Sequence, residues 1–147
     1  QKKELEDQVN RGAVLNIHNI KVAAVRFRNN GNEKAVTKAK QVEKFNICFD
    51  VHKNELTKPG VNKFYLRIIE PLGTTIFIER SGSGQFVNKD NGGDARYTVS
   101  QSFNYKNDAP NICIPWIQEE ELANGGEYTF ELYNRGYLAG KTTMTLK

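Results

Sequence analysis

Apolar and polar positions alternate most regularly in two segments, residues 42–52 and residues 97–105. Phe45 and Phe49 share one face of the first segment, and Phe103 lies on the apolar face of the second. Because successive side chains of an extended strand point to opposite sides, a period of two predicts a strand with one buried face. The pattern therefore predicts β-structure in both segments.

Most of the remaining chain also divides into short segments that are rich in β-branched and aromatic residues and are separated by turns. These segments are residues 14–28, 64–69, 74–80, 111–116, 127–133 and 137–147. Almost no helical pattern follows residue 12, which is typical of a sandwich or barrel. We predict an all-β fold, an immunoglobulin-like antiparallel β-sandwich of about seven to eight strands.

Glycine-rich sequence between residues 81 and 95 interrupts this pattern. Only Phe86 and Val87 offer apolar anchors there. Such composition predicts a long, mobile loop, and loops of this kind often carry binding sites. We therefore expect residues 81–95 to be a binding-competent loop.

A short motif near the C-terminus favours the sandwich over a barrel. Residues 126–130 (GEYTF) resemble the tyrosine corner of immunoglobulin-like domains, with Phe130 where antibody domains have a cysteine. This assigns Tyr128 a structural role, its hydroxyl bonded to nearby backbone. The core residues predicted around it are Phe130, Leu132, Leu138, Met144 and Leu146.

Residues 1–12 have a different pattern. Leu5 and Val9 lie four residues apart among charged residues, the spacing of one helical stripe, and Gly12 supplies a stop. Because about ten residues are marginal as an isolated helix in water, we interpret the segment as the helical end of an upstream coiled coil. Residues 13–147 then form the sandwich domain. We expect a signal or anchor to precede Gln1, since the chain does not open with Met.

Composition argues against a nucleic-acid-binding function and against a membrane span, but it does not indicate a specific function. The 147 residues carry a net charge of +4, from 21 basic and 17 acidic residues that are mixed along the chain. No dense basic block resembles a nucleic-acid footprint, so we expect no nucleic-acid partner. No run of about 18 apolar residues could span a membrane, so we expect membrane attachment only through an upstream anchor.

Residues that could carry catalysis are few. His18 and His52 lack any metal-ligand spacing, and no local signature pairs them with Cys48 or Cys113 as a nucleophile. We therefore predict no enzyme activity, no cofactor and no bound metal. The two cysteines fall on the polar phase of their strands and could face one another across adjacent strands. A disulfide is allowed in an oxidising compartment, but two free buried thiols are the favoured expectation.

Asp90, Asn91 and Asp94 bring several oxygen atoms together on the glycine-rich segment. Oxygen ligands suit Ca²⁺, but no downstream bidentate Glu completes a known calcium loop. Ordinary turn chemistry, in which Asn and Asp bond to nearby backbone, is the preferred interpretation.

Aromatic residues outside the predicted core are candidate ligand or partner contacts. Tyr65, Tyr133 and Tyr137 lie on the outward phase of their strands, and Trp116 sits at a strand end. Exposed rings can anchor a protein partner or stack on sugars. Cross-strand packing that stiffens a sheet is the simpler explanation for the same rings.

Three segments carry a resemblance to a known group: residues 38–49 (KAKQVEKFNICF), 64–73 (FYLRIIEPLG) and 126–133 (GEYTFELY). They resemble the C-terminal domain of bacteroidete envelope proteins in which a membrane span and a coiled coil precede an immunoglobulin-like β-sandwich. The resemblance implies a periplasmic or cell-envelope location, anchored by a segment absent from this chain, with oligomerisation through the coiled coil.

Together with the missing catalytic groups, the resemblance suggests a non-enzymatic interaction or structural module at the distal end of a stalk. We expect its partner to be a protein or an envelope glycan. The alternative function is a carbohydrate-binding module that uses Trp116 and the outward tyrosines.

Overall fold

The computed structural model describes residues 12–147, so the predicted helical tail lies outside the described residues apart from Gly12. The described part of the chain contains ten β-strands and two short 3₁₀ turns, at Ala39–Gln41 and Glu79–Ser81. The strands are β1 Ile17–Phe27, β2 Glu33–Ala35, β3 Lys44–Val51, β4 Gly60–Ile69, β5 Gly84–Val87, β6 Asp94–Tyr97, β7 Val99–Tyr105, β8 Asn111–Ile117, β9 Gly126–Asn134 and β10 Tyr137–Leu146. Within these residues no helix has the length and apolar character needed to cross a membrane.

Eight of the strands form two four-stranded antiparallel sheets that pack face to face. Sheet A has the order β2-β1-β3-β8, and sheet B has the order β10-β9-β4-β7. Apart from the short β2, this order is that of immunoglobulin strands A, B and E in one sheet and G, F, C and C′ in the other. The prediction of an immunoglobulin-like β-sandwich is therefore confirmed. β5 and β6 form a separate hairpin.

Aromatic rings from both sheets meet in the core. Phe45 on β3 packs edge-on against Phe130 on β9, with ring centroids 5.2 Å apart. Phe49, four residues after Phe45 on the same face of β3, packs against Phe64 on β4 with ring centroids 5.1 Å apart. All four side chains are fully buried. Since burial of one such side chain contributes about 1.5–3 kcal/mol, these contacts hold the two sheets together.

The tyrosine corner is present as the sequence predicts. Tyr128 is fully buried, and its hydroxyl donates a hydrogen bond to the backbone carbonyl of Asn124, four residues upstream. Burial raises the pKa of Tyr128, and the nearby Glu70 carboxylate raises the pKa further. The neutral hydroxyl therefore remains a donor at physiological pH.

The predicted core around this corner is correct except at one position. Phe130, Leu132 and Leu146 are buried, and Met144 packs against the core. Leu138 is instead 39% exposed. The register between β9 and β10 shifts between Leu138 and Gly140, and such a bulge reverses the side to which a strand residue points.

The segment after the turn at residues 70–73 is not the strand that the sequence suggests. Only Thr75 bridges to the end of β4. The hydroxyl of Thr98 accepts a hydrogen bond from the Ile68 amide at 3.0 Å and donates one to the Ile76 carbonyl at 2.7 Å. Backbone hydrogen bonds pair the two segments only next to the turn, from the Glu70 amide to the Thr74 carbonyl and from the Ile76 amide to the Ile68 carbonyl. Beyond that point the Thr98 side chain takes the place of a backbone ladder, so residues 74–80 form no regular strand.

The expectation of two free thiols is wrong, because Cys48 and Cys113 form a disulfide. They are directly opposite residues of β3 and β8, and their Cα atoms lie 4.0 Å apart. Antiparallel strands bring opposite side chains closest at the pairs that do not exchange backbone hydrogen bonds. The bond lies on the outer face of sheet A, where Cys113 is exposed.

Candidate functional site

Two of the four predicted contact residues are core residues, so their prediction as surface contacts is wrong. Trp116 is 2% exposed on the inner face of β8, and its indole N–H donates to the Gln118 side chain at 2.9 Å. Tyr137 is 8% exposed and belongs to the main core cluster. Trp116 shares the strand phase of the buried Ile114, which is the signal in the sequence that should have placed it inside.

The other two residues, Tyr65 on β4 and Tyr133 on β9, do lie on the outer face of sheet B, directly opposite each other. The β5–β6 hairpin covers them. The Phe86 ring stacks on Tyr65 with centroids 5.0 Å apart and tilts against Tyr133 at 4.9 Å, while Tyr97 packs on Tyr65 at 4.7 Å. Tyr65 is half-buried and Tyr133 is buried, so Tyr133 is wrong as an exposed contact.

The hairpin replaces the mobile loop predicted for residues 81–95. Its tip is held on the turn between β9 and β10 by two hydrogen bonds. The Lys89 amide donates to the Gly136 carbonyl at 2.8 Å, and the Leu138 amide donates to the Asp90 carboxylate at 3.1 Å. Gly136 has a φ of +87°, and a Cβ there would lie 2.8 Å from the Val87 carbonyl oxygen. Glycine therefore permits both the turn and the close approach of the hairpin.

An open cleft of about 250 Å³ lies where the hairpin meets this turn. We call it the aromatic cleft, and it is lined by Tyr65, Phe86, Val87, Lys89, Arg135 and Gly136. Val87 is 50% exposed, so an apolar contact is available at the rim. Tyr65 is the predicted contact residue that the structure places in a cleft.

The aromatic cleft combines apolar rings with positive charge. Lys89 and Arg135 are exposed on its rim, and neither forms an ion pair within the described part of the chain. Beneath the hairpin, Tyr133 donates to the Glu131 carboxylate at 3.2 Å, and burial raises the pKa of the Tyr133 hydroxyl. The Tyr133 hydroxyl therefore stays neutral at physiological pH, and the charge exposed at the cleft is that of the cationic rim. This arrangement can bind an apolar group next to a negative charge.

A cluster of polar side chains, distinct from the aromatic cleft, lies on the outer face of sheet A. The rings of His18 and His52 stack with centroids 4.1 Å apart, and His18 lies 4.0 Å from the Asp50 carboxylate. Asn111 and Asn19 donate to this carboxylate at 2.9 Å and 3.1 Å, and these bonds lower the pKa of Asp50. All these groups are near the surface. Among residues 12–147 no set of three or more His, Cys, Asp and Glu side chains is arranged to hold a metal ion.

Of the residues weighed as calcium ligands, Asn91 takes part in the hairpin turn in the way that the preferred interpretation expects. The Asn91 side chain accepts the Gly93 amide at 2.8 Å, and the Asn88 side chain accepts the Asp90 amide at 2.9 Å. The carboxylate of Asp90 is used by the Leu138 amide. The Asn88 and Asn91 side chains thus close the turn on nearby backbone, whereas the Asp90 carboxylate connects the turn to β10.

The sequence from residue 18 to residue 147 matches a family model described as a domain of unknown function, DUF8428. The chain belongs to the DUF8428 family. The match spans the whole sandwich from β1 onward, including the β5–β6 hairpin, so the aromatic cleft lies inside the DUF8428 region. No curated protein sequence matches the chain.

Two solved structures resemble this DUF8428 domain at low sequence identity. An immunoglobulin-like protein from Pseudomonas aeruginosa is 14% identical with a TM-score of 0.42, covering 90% of this chain and 96% of its own. The alkylpurine DNA glycosylase AlkC from Pseudomonas fluorescens, bound to DNA containing an abasic-site analogue, is 11% identical with a TM-score of 0.41. That match covers 87% of this chain but 30% of AlkC, so the chain spans less than a third of that enzyme.

Proposed function

We propose that this domain is a non-enzymatic interaction module of a cell-envelope protein and that it binds a protein partner in the aromatic cleft. The proposal rests on an accessible aromatic and apolar surface that lies beside two cations, neither of which forms an ion pair with the described residues. Tyr65 and Val87 supply the first, and Lys89 and Arg135 the second.

The cleft has the features of an interaction hot spot. Aromatic side chains and arginines dominate binding energies at protein interfaces, because they bury large areas with few rotatable bonds. Both walls of the cleft are fixed in advance, since the hairpin tip is hydrogen-bonded to the turn that carries Arg135. A rigid site loses less conformational entropy on binding than a mobile loop.

The rim charges indicate the chemistry of the partner. Lys89 and Arg135 favour a segment with Asp or Glu, and the ring of Tyr65 favours an apolar or aromatic side chain beside it. We therefore propose an acidic protein segment that inserts one apolar side chain between the rim cations.

A periplasmic or cell-envelope location is part of the same proposal. The Cys48–Cys113 disulfide supports it, because disulfides persist in oxidising compartments and are rare in the cytosol. The resemblance to bacteroidete envelope proteins supports it as well. The upstream anchor, the coiled coil and oligomerisation through it remain predictions from the sequence.

Most of the rings on which the carbohydrate-binding alternative depends are buried. Trp116, Tyr133 and Tyr137 are buried, which leaves Tyr65 as the one predicted contact ring that reaches the cleft. A single half-buried ring offers little stacking surface for a sugar. We therefore favour the protein partner.

Photo-crosslinking in the native cells tests the proposal. A benzophenone amino acid at position 87, in the cleft, is expected to give a protein adduct in the envelope fraction. The same residue at position 27 is the control, because Phe27 is 40% exposed on the opposite sheet. Arg135→Glu in the position-87 background should abolish the adduct.

Three outcomes would contradict the proposed function. Adducts of equal yield at positions 87 and 27 would show that the cleft is not selective. An absence of any adduct at position 87 would remove the partner. An adduct that glycosidases digest and proteases do not would support the glycan alternative instead.

A further inference from the structure

The outer strands of the two sheets differ in how well they are protected against pairing with another strand. Exposed edges are usually blocked by charge, proline, bulges or cover. β2 has three residues, of which Glu33 and Lys34 are charged, and β8 contains Pro115, which lacks an amide hydrogen. β10 has a bulge, and the side chain of Ile17 covers it at Gly140.

β7 has none of these features. Its seven residues, Val99–Tyr105, include no charged residue and no proline, and its register with β4 continues without a bulge. Within residues 12–147 no strand pairs with the far side of β7. It therefore presents a row of backbone donors and acceptors on that side. The Gln101 side chain donates to the Ser102 carbonyl in this row at 3.2 Å, and a partner strand would replace that long bond.

The side chains of β7 form two rows of different chemistry. On the inner face Val99 and Phe103 are only partly buried, although Phe103 stacks on Phe64 at 5.5 Å. The outer face carries small polar residues, Ser100 and Ser102. A strand added beside β7 would cover the inner apolar residues with its own alternate side chains.

Positive charge borders the outer face of this edge. Lys63 on β4 is directly opposite Ser102, and Lys106 follows the last residue of β7. Both lysines are exposed. An added strand whose outward side chains are acidic would lie close to them, whereas a second copy of this chain would bring a net charge of +4 to the same place.

We propose that β7 is a strand-addition site that accepts an extended partner segment in which apolar and acidic residues alternate. The backbone hydrogen bonds of β7 hold the segment, its apolar residues cover Val99 and Phe103, and its acidic residues face Lys63 and Lys106. The two surfaces touch at one point, because the Lys63 ammonium lies 5.7 Å from the centroid of the Tyr65 ring. No residue of β7 lines the aromatic cleft, so variants of β7 test the strand edge without changing the cleft.

A designed peptide tests the site directly. The probe is a nine-residue peptide of alternating Val and Glu with blocked ends, titrated into the ¹⁵N-labelled protein. We expect amide chemical-shift changes centred on Val99–Tyr105. Methylating alternate backbone nitrogens of the peptide, on the side that faces β7, should weaken binding by about tenfold or more.

A matched pair of variants separates edge pairing from general charge effects. Gln101→Lys places a charge on the inner row of β7, which blocks strand addition in natural proteins. Thr143→Lys adds the same charge to an exposed position of β10. Binding should fall about tenfold or more for the first variant and stay within about twofold for the second, with both thermal midpoints near that of the wild type.

The opposite results would overturn the proposal. These are shifts that map to other strands, no binding at millimolar peptide, equal affinity of the N-methylated peptide, or equal effects of both lysines. Concentration-dependent dimerisation that Gln101→Lys abolishes would assign the edge to a second copy rather than to a partner segment. Photo-crosslinks from the aromatic cleft would be unaffected in each case.

Discussion

The outer faces of the two sheets are built in different ways. On sheet A no other segment covers the outward residues of β3, which are half-buried, or those of β8, which are exposed, and a disulfide between Cys48 and Cys113 joins these neighbouring strands. On sheet B the outward rings of Tyr65 and Tyr133 lie beneath a hairpin that contributes Phe86. Sheet A thus has one side buried, whereas the middle of sheet B is buried on both sides.

Because of this difference, we expect changes on sheet A to affect mainly stability and changes on sheet B to affect mainly binding. The face of sheet A is held by a covalent bond and by short-range hydrogen bonds between neighbouring strands. The face of sheet B is held by apolar contacts with a segment from elsewhere in the chain, and the cleft exists only because that segment is present. If the hairpin detached, we expect the two sheets to stay folded, but the proposed binding surface would be lost.

The largest expected effect is on sheet B. Phe86→Ala removes the ring that packs on Tyr65 and Tyr133 and is 8% exposed in the native protein. We expect a loss of about 3–5 kcal/mol from the local stability of the hairpin, together with loss of the crosslink at position 87. Amide hydrogen exchange resolved by residue measures both changes, because β5 and β6 should exchange faster while β3 and β8 do not.

An apolar truncation on sheet A provides the contrast. Ile117 is 48% exposed at the end of β8, so Ile117→Ala should change the free energy of unfolding by no more than about 0.5 kcal/mol. Equal losses in the two variants, or uniformly faster exchange across both sheets in Phe86→Ala, would show that the hairpin is an integral part of the sandwich core.

The contrast between the faces also explains which features of the fold could be read from the sequence. Alternation in β3 identified Phe45 and Phe49 as inward residues, because a strand that is buried on one side has a period of two. The tyrosine corner identified Tyr128 for a similar reason, since its hydrogen bond reaches only four residues upstream. Features that depend on neighbours in the sequence were predictable.

The candidate site was harder to predict because it depends on contacts between distant segments. Phe86 lies in a glycine-rich stretch without alternation, and nothing local indicates that it packs on Tyr65 and Tyr133. The outward phase of the two tyrosines was correct, but a second covering layer was invisible in a single-strand pattern. The disulfide likewise required the register of β3 against β8, which single-strand periodicity does not give.

The second prediction concerns the disulfide of sheet A. Replacing Cys48 and Cys113 together by Ser opens a loop of 65 residues in the unfolded chain. We expect a loss of about 2–4 kcal/mol in the free energy of unfolding, measured by urea denaturation. Binding in the aromatic cleft should be unchanged, since the bond lies on the other sheet.

Reduced wild-type protein is the control for this variant. Treatment with a dithiol should lower the stability by the same amount, because it removes the same crosslink. A stability loss below about 0.5 kcal/mol would show that the disulfide does not stabilise sheet A. Loss of the position-87 crosslink without unfolding would show that binding on sheet B depends on sheet A.

The third prediction tests the connection between the hairpin and the turn. Gly136→Ala places a Cβ 2.8 Å from the Val87 carbonyl at a φ of +87°, so the hairpin must move away. We expect a cost of about 1–3 kcal/mol and weaker binding in the cleft. Gly31→Ala is the matched control, since Gly31 has a φ of +83° with no atom within 4 Å of the added Cβ. If both variants lose the same stability, backbone strain alone accounts for the effect.

The smallest expected effect lies in the polar row of sheet A. The hydrogen bonds from Asn111 and Asn19 lower the pKa of Asp50 below its usual value of 3.8. A carboxyl whose pKa is depressed on folding stabilises the native state above that usual value, and this contribution disappears as the pH falls through the lowered pKa. Asp50→Asn should therefore lower the thermal midpoint slightly at pH 7, and the difference from wild type should vanish in acid.

Asp94→Asn on the hairpin is the control, because Asp94 forms no side-chain hydrogen bond or ion pair with the described residues. A difference for Asp50→Asn that grows in acid, or an equal effect of both substitutions, would mean that the carboxylate of sheet A is no better anchored than an exposed one on sheet B.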